Sequence, residues 1–255
     1  MLLVSDKKRR DVLRVDPATL KIKEALHLKD RPLAVARLGD DIFVGKEKES
    51  SIEIFNLKGT PKGYLVGPGD IGYPDGIDVD PIQGLVVVLD GNAWTISIYH
   101  AASRTLVGTF GTGVLNNPAG LAVDTSRQEI LVSNVGNASV NAFLSIFSYA
   151  TSNLGTLVDT LTSSGCGYFG CSSVGFSRPQ GVAVFNGKIF LVDTLMSQVL
   201  VYDRTTLNHL VTLGSSDPLN RELRLPSDIE INGLGDIYVI SRIRNSIVKF
   251  AGGAL

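Results

Sequence analysis

The residues of this chain with the most distinctive chemistry are its two cysteines, Cys166 and Cys171, which flank the segment Gly-Tyr-Phe-Gly. Four intervening residues are enough to close a disulfide, and the two glycines make the loop pliable. We expect a small disulfide that pins this loop, which implies an oxidising compartment. Two free thiols are the alternative. A zinc site is not expected, because zinc takes four ligands and no histidine lies nearby in the sequence.

Histidines and carboxylates are the other residues that could do chemistry. The three histidines, His27, His100 and His209, form no cluster in the sequence, so we expect them at the surface. A divalent cation such as calcium takes six to eight oxygen ligands. Side chains of this type occur at comparable positions in three of the repeats described below: Asp78, Asp80, Asp124, Glu230 and Asn232. Other repeats have Ala or Phe there, so we predict no metal and no cofactor. No nucleophile elbow or phosphate-binding glycine loop is found either, and the sequence favours a protein that is not an enzyme.

The elements that would position these residues recur along the chain. Five segments begin with a proline that leads into a short apolar run, and a second apolar run follows. The prolines, Pro32, Pro74, Pro118, Pro179 and Pro226, are 42, 44, 61 and 47 residues apart. A period near 44 residues that is built from short strands is typical of β-propeller blades.

Each repeat predicts four strands. The Pro-led strand is innermost and buried on both faces, and the third strand alternates clearly and ends on an aromatic residue. The predicted fold is therefore all-β: a single six-bladed β-propeller domain of four-stranded antiparallel blades. We place the blades at about 1–30, 31–71, 72–115, 116–176, 177–223 and 224–255, with an insertion within 152–177.

The first and last predicted blades are incomplete. The first lacks its inner strand, and the last lacks its outer strand. We interpret this as a sign that residues are missing at both ends of a longer chain, so that Met1 is not the biological start. The alternative is a complete protein whose ring closes imperfectly.

The best-formed repeats cover Tyr73–Tyr99, Asn117–Phe147 and Arg178–Tyr202. Each has Pro-x-Gly before an apolar run, a second strand ending in Asp or Asn, and a third ending in Phe or Tyr. In these features the chain resembles the NHL-repeat family of β-propellers along nearly its whole length. The family includes RNA-binding and protein-binding propellers, and its relatives include lyases and gluconolactonase-like hydrolases. The resemblance implies a structural role for the residue that ends the second strand, as a cap on the following turn.

Charge is uneven among the loops that follow the second strands. These loops are basic in the first, second and sixth blades and nearly uncharged in the other three, and loops on the same face add further cations. We predict a basic arc over about half of one face, lined by Lys8, Arg10, Arg31, Lys46, Arg178, Arg224, Arg242 and Arg244. An ordinary solvated rim, offset by nearby Asp and Glu, is the alternative.

Composition limits the function only coarsely. The net charge of −1 argues against indiscriminate nucleic-acid binding, and no apolar run is long enough to span a membrane. We predict a non-enzymatic scaffold that binds a protein partner or another subunit through its loop face, within a larger secreted or periplasmic assembly of bacterial type. A cytoplasmic location is the alternative. Two other functions stay open: a gluconolactonase-like hydrolase or lyase with a divalent cation in the central channel, and single-stranded RNA binding on the basic arc.

Overall fold

The computed structural model describes residues 1–163, 166–167, 170–171, 175–214 and 223–252, and its regular structure is β throughout. Six antiparallel sheets of three or four strands form the six-bladed β-propeller that the repeat predicted. Among the described residues, no helix is long and apolar enough to cross a membrane. The chain divides into two compact units, Met1–Thr112 and Gly113–Leu255.

The unit Met1–Thr112 contains three blades, in which each strand pairs with the next along the chain. As predicted, the first blade lacks a Pro-led strand and has three strands. The strands of this unit are β1 (Leu2–Asp6), β2 (Asp11–Val15) and β3 (Ile22–His27); β4 (Pro32–Leu38), β5 (Asp41–Lys46), β6 (Ser51–Asn56) and β7 (Pro61–Val66); and β8 (Pro74–Asp80), β9 (Leu85–Asp90), β10 (Thr95–His100) and β11 (Leu106–Phe110).

The unit Gly113–Leu255 contains the other three blades and a short two-stranded ladder. Its last blade has three strands, which agrees with the prediction that the outer strand is missing. The strands are β12 (Pro118–Asp124), β13 (Glu129–Asn134), β14 (Phe143–Ser148) and β15 (Leu157–Thr162); β16 (Cys166–Gly167) and β17 (Gly170–Cys171); β18 (Pro179–Phe185), β19 (Lys188–Asp193), β20 (Gln198–Asp203) and β21 (His209–Leu213); and β22 (Pro226–Ile231), β23 (Ile237–Ser241) and β24 (Ser246–Phe250).

The recurrent proline has a clear structural role. It is the first residue of each Pro-led strand, where its missing N–H removes no essential ladder bond. The register of the pairing shifts directly after it in every case, for example between Pro74 and Gly76 and between Pro118 and Gly120. Such a β-bulge bends the strand and increases its twist.

The glycine that follows the proline allows neighbouring Pro-led strands to approach closely. A Cβ on Gly120 would lie 2.0 Å from the backbone oxygen of Gln180, and one on Gly181 would lie 2.6 Å from Cα of Asp228. Both positions therefore require a residue without a side chain. The glycine of the Pro-x-Gly pattern is needed because neighbouring Pro-led strands pack closely against it.

The apolar core lies between adjacent blades of each unit. In the first unit, Phe43 and Ile54 of the second blade pack with Ile77 and Val88 of the third. In the second unit, a comparable cluster joins the fifth and sixth blades. Burial on both faces explains why the second strands are nearly continuous apolar runs, as in the fully buried β9.

The cysteines lie in the short ladder within the insertion. The backbone of Cys166 pairs with that of Cys171 in antiparallel register. Their side chains lie outside the described residues, so the disulfide stays a prediction.

Candidate functional site

The candidate site is built from the loops that follow the second strands of the blades in Met1–Thr112. Each of these loops is a four-residue turn, covering residues 7–10, 47–50 and 91–94. The last residue of each turn has a left-handed backbone: φ is 62° at Arg10, 48° at Ser50 and 54° at Trp94. The same geometry recurs at Ser197 and Asn245 in the other unit. The blades therefore impose one turn shape on different sequences.

The residue before the turn fixes it in place. Asp90 accepts backbone N–H bonds from Gly72 at 2.8 Å and Tyr73 at 3.0 Å in the preceding loop, and from Asn92 and Ala93 in its own turn. Burial alone would raise the pKa of Asp90, but these four donors together lower it below its ordinary value. The predicted capping role of this position is confirmed.

The same capping position is used in the unit Gly113–Leu255. Asp193 accepts N–H bonds from Ser177 and Leu195. Asn134 accepts a bond from Asn116, and Ser241 takes this role for Arg224 in the last blade. A short side-chain acceptor thus ties each turn to the loop that precedes its blade.

Five loops of Met1–Thr112 are joined by hydrogen bonds into one continuous surface. We call it the loop face and define it as residues 7–10, 28–31, 47–50, 67–73 and 91–94. The bonds that link successive loops are Leu28 N–H to Arg10 O, Glu47 N–H to Arg31 O, Gly69 N–H to Glu49 O and Gly91 N–H to Tyr73 O. Because each loop is held by its neighbour, the loop face is a fixed arrangement of side chains rather than five independent segments.

A cluster of charged and aromatic side chains lies on the loop face. The Lys7 ammonium is 2.7 Å from a Glu47 carboxylate oxygen and donates to the Tyr73 hydroxyl at 3.2 Å. Arg31 lies 3.4 Å from the other oxygen of Glu47. The Lys7 contact is the largest of the influences that hold the Glu47 pKa below its ordinary value. Glu47 is therefore fully occupied by two cations of the loop face.

The predicted basic arc needs Lys46 on the surface, but Lys46 is buried. The structure places it as the last residue of β5, where it is buried and its ammonium is 2.7 Å from both Glu49 and Glu53. Burial lowers the pKa of Lys46, but the two carboxylates outweigh it and leave that pKa raised. Lys46 acts as an internal counter-ion and presents no charge to a partner.

Other cations of the loop face form no ion pair with any described residue: Lys8, Arg10, Lys29 and Lys48. All four are exposed. The carboxylates around them are mostly engaged, since Asp30 accepts the N–H groups of Lys48 and Glu49, and Glu47 holds two cations. Glu49 pairs with Lys46, which leaves Asp70 as the loop-face carboxylate that has no such partner within the described ranges. The exposed charge of the loop face is therefore positive.

Trp94 is the second notable feature of the loop face. Its side chain is 38% exposed, and within the described part of the chain its indole N–H has no hydrogen-bond partner. Tyr73, which lies in the adjacent loop, contacts Lys7 with both its hydroxyl and its ring. The loop face thus combines free cations with an exposed aromatic side chain.

The other predicted arc residues lie in Gly113–Leu255. Arg178, Arg224, Arg242 and Arg244 are all exposed, and none forms an ion pair with a described residue of the chain. Arg242 donates its backbone N–H to Leu225 at 3.4 Å, and Arg224 donates to Ser241 at 2.9 Å. The loops that carry these three arginines of the last blade are therefore adjacent.

Two of the carboxylates considered as cation ligands, Asp80 and Asp124, have structural roles in the fold. Asp80 accepts N–H bonds from Ile82 and Gln83, and Asp124 accepts bonds from Ser126 and Arg127. Both cap the turns that follow Pro-led strands. Within the described residues, no group of three or more His, Cys, Asp or Glu side chains is placed to hold a metal ion.

The histidines lie at strand positions. His27 is exposed and places Nδ1 2.6 Å from Asp11, and His100 is exposed as expected. His209 is half-buried against the ring of Tyr202, so the expectation of a surface position is only partly met there.

Comparison with known proteins supports the fold and nothing finer. No protein-family model matches the chain, and no curated protein sequence matches it. Among solved structures, a chain of Kuenenia stuttgartiensis hydrazine synthase superposes with a TM-score of 0.70 at 11% identity, covering 99% of this chain and 92% of that one.

Two further structures are similar. A chain of a nidogen/laminin complex superposes with a TM-score of 0.71 at 16% identity, covering 98% of this chain and 88% of that one. A functionally unknown protein from Desulfotomaculum acetoxidans gives a TM-score of 0.66 at 15% identity, covering 99% and 80%. Identities this low establish a shared architecture only.

Proposed function

We propose that this protein is a scaffold that binds a protein partner through the loop face. The observation that carries the proposal is the set of exposed cations without ion pairs on loops that are hydrogen-bonded to one another. A surface that is already ordered loses little conformational entropy when a partner binds, so more of its contact energy becomes affinity. Unpaired cations also steer an oppositely charged partner toward the correct face.

A protein partner fits the composition of the loop face. Interfaces between proteins are enriched in Trp, Tyr and Arg relative to the rest of the surface, and Trp94, Tyr73 and Arg10 occur here together. The similar chain in a nidogen/laminin complex comes from an assembly of two proteins, which is consistent with this use of the fold. We also propose a secreted or periplasmic location within a larger assembly, for which the paired register of Cys166 and Cys171 is the support.

The test compares charge reversals on opposite faces. The variant Lys8→Glu/Lys29→Glu inverts two free cations of the loop face. Lys21→Glu/Lys58→Glu makes the same change in charge in turns that follow third strands, at the opposite ends of the blades. Lys21 and Lys58 are exposed and, like the first pair, form no ion pair with described residues, so the two double variants are matched.

Partners are cross-linked in native extracts, identified, purified and titrated against all three proteins. We expect the wild type and the Lys21/Lys58 variant to bind one protein with equal affinity, and the Lys8/Lys29 variant to lose at least about tenfold. Equal binding by both double variants would contradict the proposal. So would salt-sensitive binding of single-stranded RNA that exceeds binding of any protein.

A further inference from the structure

We infer that Trp94 is the apolar anchor of the loop face and that its occupant is an acidic protein segment with an apolar side chain beside its carboxylates. This inference rests on the proposed function, because it names the partner chemistry of the same surface. It is drawn from the left-handed backbone and exposed indole of Trp94, and from the free charge of the loop face.

The backbone at Trp94 does not suit a large side chain. Its φ of 54° lies in the left-handed region, where a bulky residue is an outlier and small polar residues such as Asn are favoured. The equivalent turns use Arg10, Ser50, Ser197 and Asn245 at this position, so three of the four are small polar residues. A tryptophan here therefore works against local stability, and strained residues of this kind cluster at functional sites.

The fold leaves part of the Trp94 side chain uncovered. It is 38% exposed, and its indole N–H finds no acceptor among the described residues. It belongs to neither of the buried clusters described in Met1–Thr112, so core packing does not explain the uncovered part of the ring. An exposed indole with a free donor is suited to bury its ring against an apolar group and to donate to a partner's oxygen.

The free charge of the loop face as a whole selects an acidic occupant. Four of its cations form no ion pair with described residues, against one such carboxylate, Asp70, which lies in the loop next to Trp94. The turn that carries it is bonded to the loop 67–73, which is bonded in turn to 47–50, where Lys48 is free. The remaining free cations, Lys8, Arg10 and Lys29, follow on the next two loops. Carboxylates of a bound segment could pair with these cations without breaking any ion pair of the fold, because Glu47 already neutralises Lys7 and Arg31.

The experiment uses the intact chain and defined probes. Trp94 is the only tryptophan in the sequence, so its emission reports directly on whether this residue is covered. The probes are a labelled glutamate-rich peptide with central leucines, the same peptide with lysine in place of glutamate, and a polyuridylate oligonucleotide. Binding is followed by Trp94 emission in the wild type and by anisotropy of the label in all variants.

Three variants separate the contribution of the Trp94 ring to binding from the contribution of the free cations. Trp94→Asn introduces the residue found at the equivalent position 245, so it relieves backbone strain while removing the ring, and its Tm checks that the fold is kept. Trp94→Phe keeps an aromatic ring. Lys8→Glu/Lys29→Glu removes the charge contribution and leaves Trp94 in place.

For the wild type we expect a saturable blue shift of Trp94 emission with the acidic peptide, weaker binding at high salt, and no binding of the lysine peptide. Trp94→Asn should weaken binding at least about tenfold, and Trp94→Phe should restore most of it.

Full binding by Trp94→Asn with loss in the Lys8/Lys29 variant would overturn the anchor role while leaving the loop face as the binding surface. The absence of acidic-peptide binding to the wild type would overturn the assigned partner chemistry. The partner titrations with the matched lysine variants decide the proposed function separately. Tighter binding of polyuridylate than of the peptide, lost in Trp94→Asn, would assign the surface to nucleic acid instead.

Discussion

The ammonium of Lys7 lies 2.7 Å from a carboxylate oxygen of Glu47, joining the turn after β1 to the turn after β5. This contact, together with that of Arg31, sets which charges of the loop face are available to a partner. Glu47 is the carboxylate whose removal would release the most positive charge there. The distribution of free charge on the loop face is therefore adjustable by a single substitution.

We predict that Glu47→Gln strengthens binding of the acidic peptide. Releasing Lys7 and Arg31 should lower Kd roughly two- to fivefold at low salt, since each exposed ion pair is worth about 0.2–1 kcal/mol. The effect should vanish at high salt because exposed charges are screened. Peptide titrations at two salt concentrations measure it.

Asp41→Asn provides the matched control for this prediction. It removes the same charge from a residue that pairs with Lys62 at the opposite ends of the strands. Peptide affinity should not change in this variant. If Asp41→Asn and Glu47→Gln strengthened binding equally, net charge alone would explain the effect and the loop face would not.

Asp90 should contribute stability that depends on pH in a defined direction. Its pKa is lowered below 3.8 in the folded protein, because four backbone donors outweigh the effect of burial. A depressed pKa means that the carboxylate contribution is fully present above pH 3.8 and is lost as the pH falls through the folded value.

Asp90→Asn keeps one oxygen acceptor but replaces the other by an NH2 group facing the N–H of Gly72. We therefore expect it to cost about 1–3 kcal/mol at neutral pH, the usual range for a donor left without its partner. The difference from wild type in urea unfolding should shrink as the pH is lowered below 3.8. Asp70→Asn, in the same loop face but without a partner among described residues, is the control and should change little. A difference that stayed constant with pH would show that the charge of Asp90 contributes nothing.

The sequence predicts the architecture well because each blade is formed by one continuous stretch of the chain. The proline, the apolar runs and the capping residue all occur within a single repeat. The structure confirms the six blades and the incomplete first and last blades. The interpretation of Lys46 is less successful. The sequence pattern suggests a loop there, whereas β5 extends through Lys46 and turns its side chain inward between two carboxylates.

The pairing of Lys7 with Glu47 could not be read from the sequence for a related reason. The two residues belong to different blades, and their contact depends on how adjacent turns are held together. Free and neutralised cations look alike in a sequence, and only the geometry of the loops distinguishes Lys8 and Lys29 from Lys7 and Arg31.

Gly120 offers a test of packing between Pro-led strands. We predict that Gly120→Ala destabilises the protein by more than about 2 kcal/mol, because the new Cβ would overlap a backbone oxygen that cannot rotate away. Gly233→Ala is the control, since a Cβ there meets nothing within 4 Å. Chemical denaturation of both variants gives the comparison. Equal stabilities would mean that the strands can separate without cost.

The two cysteines offer a test of the insertion. Their backbones are directly opposed in the ladder of β16 and β17, and opposed residues of antiparallel strands lie about 4.5–5.5 Å apart between Cα atoms, within the range of a disulfide. We predict that an alkylating reagent labels neither cysteine in the oxidised protein and both after reduction, as read by mass spectrometry. Because the loop between them is short, reduction should cost only about 2 kcal/mol of stability. The Cys166→Ser/Cys171→Ser variant should match the reduced protein in stability and respond to no reductant. Immediate labelling of both thiols in protein isolated under air would refute the disulfide and remove the support for an oxidising compartment.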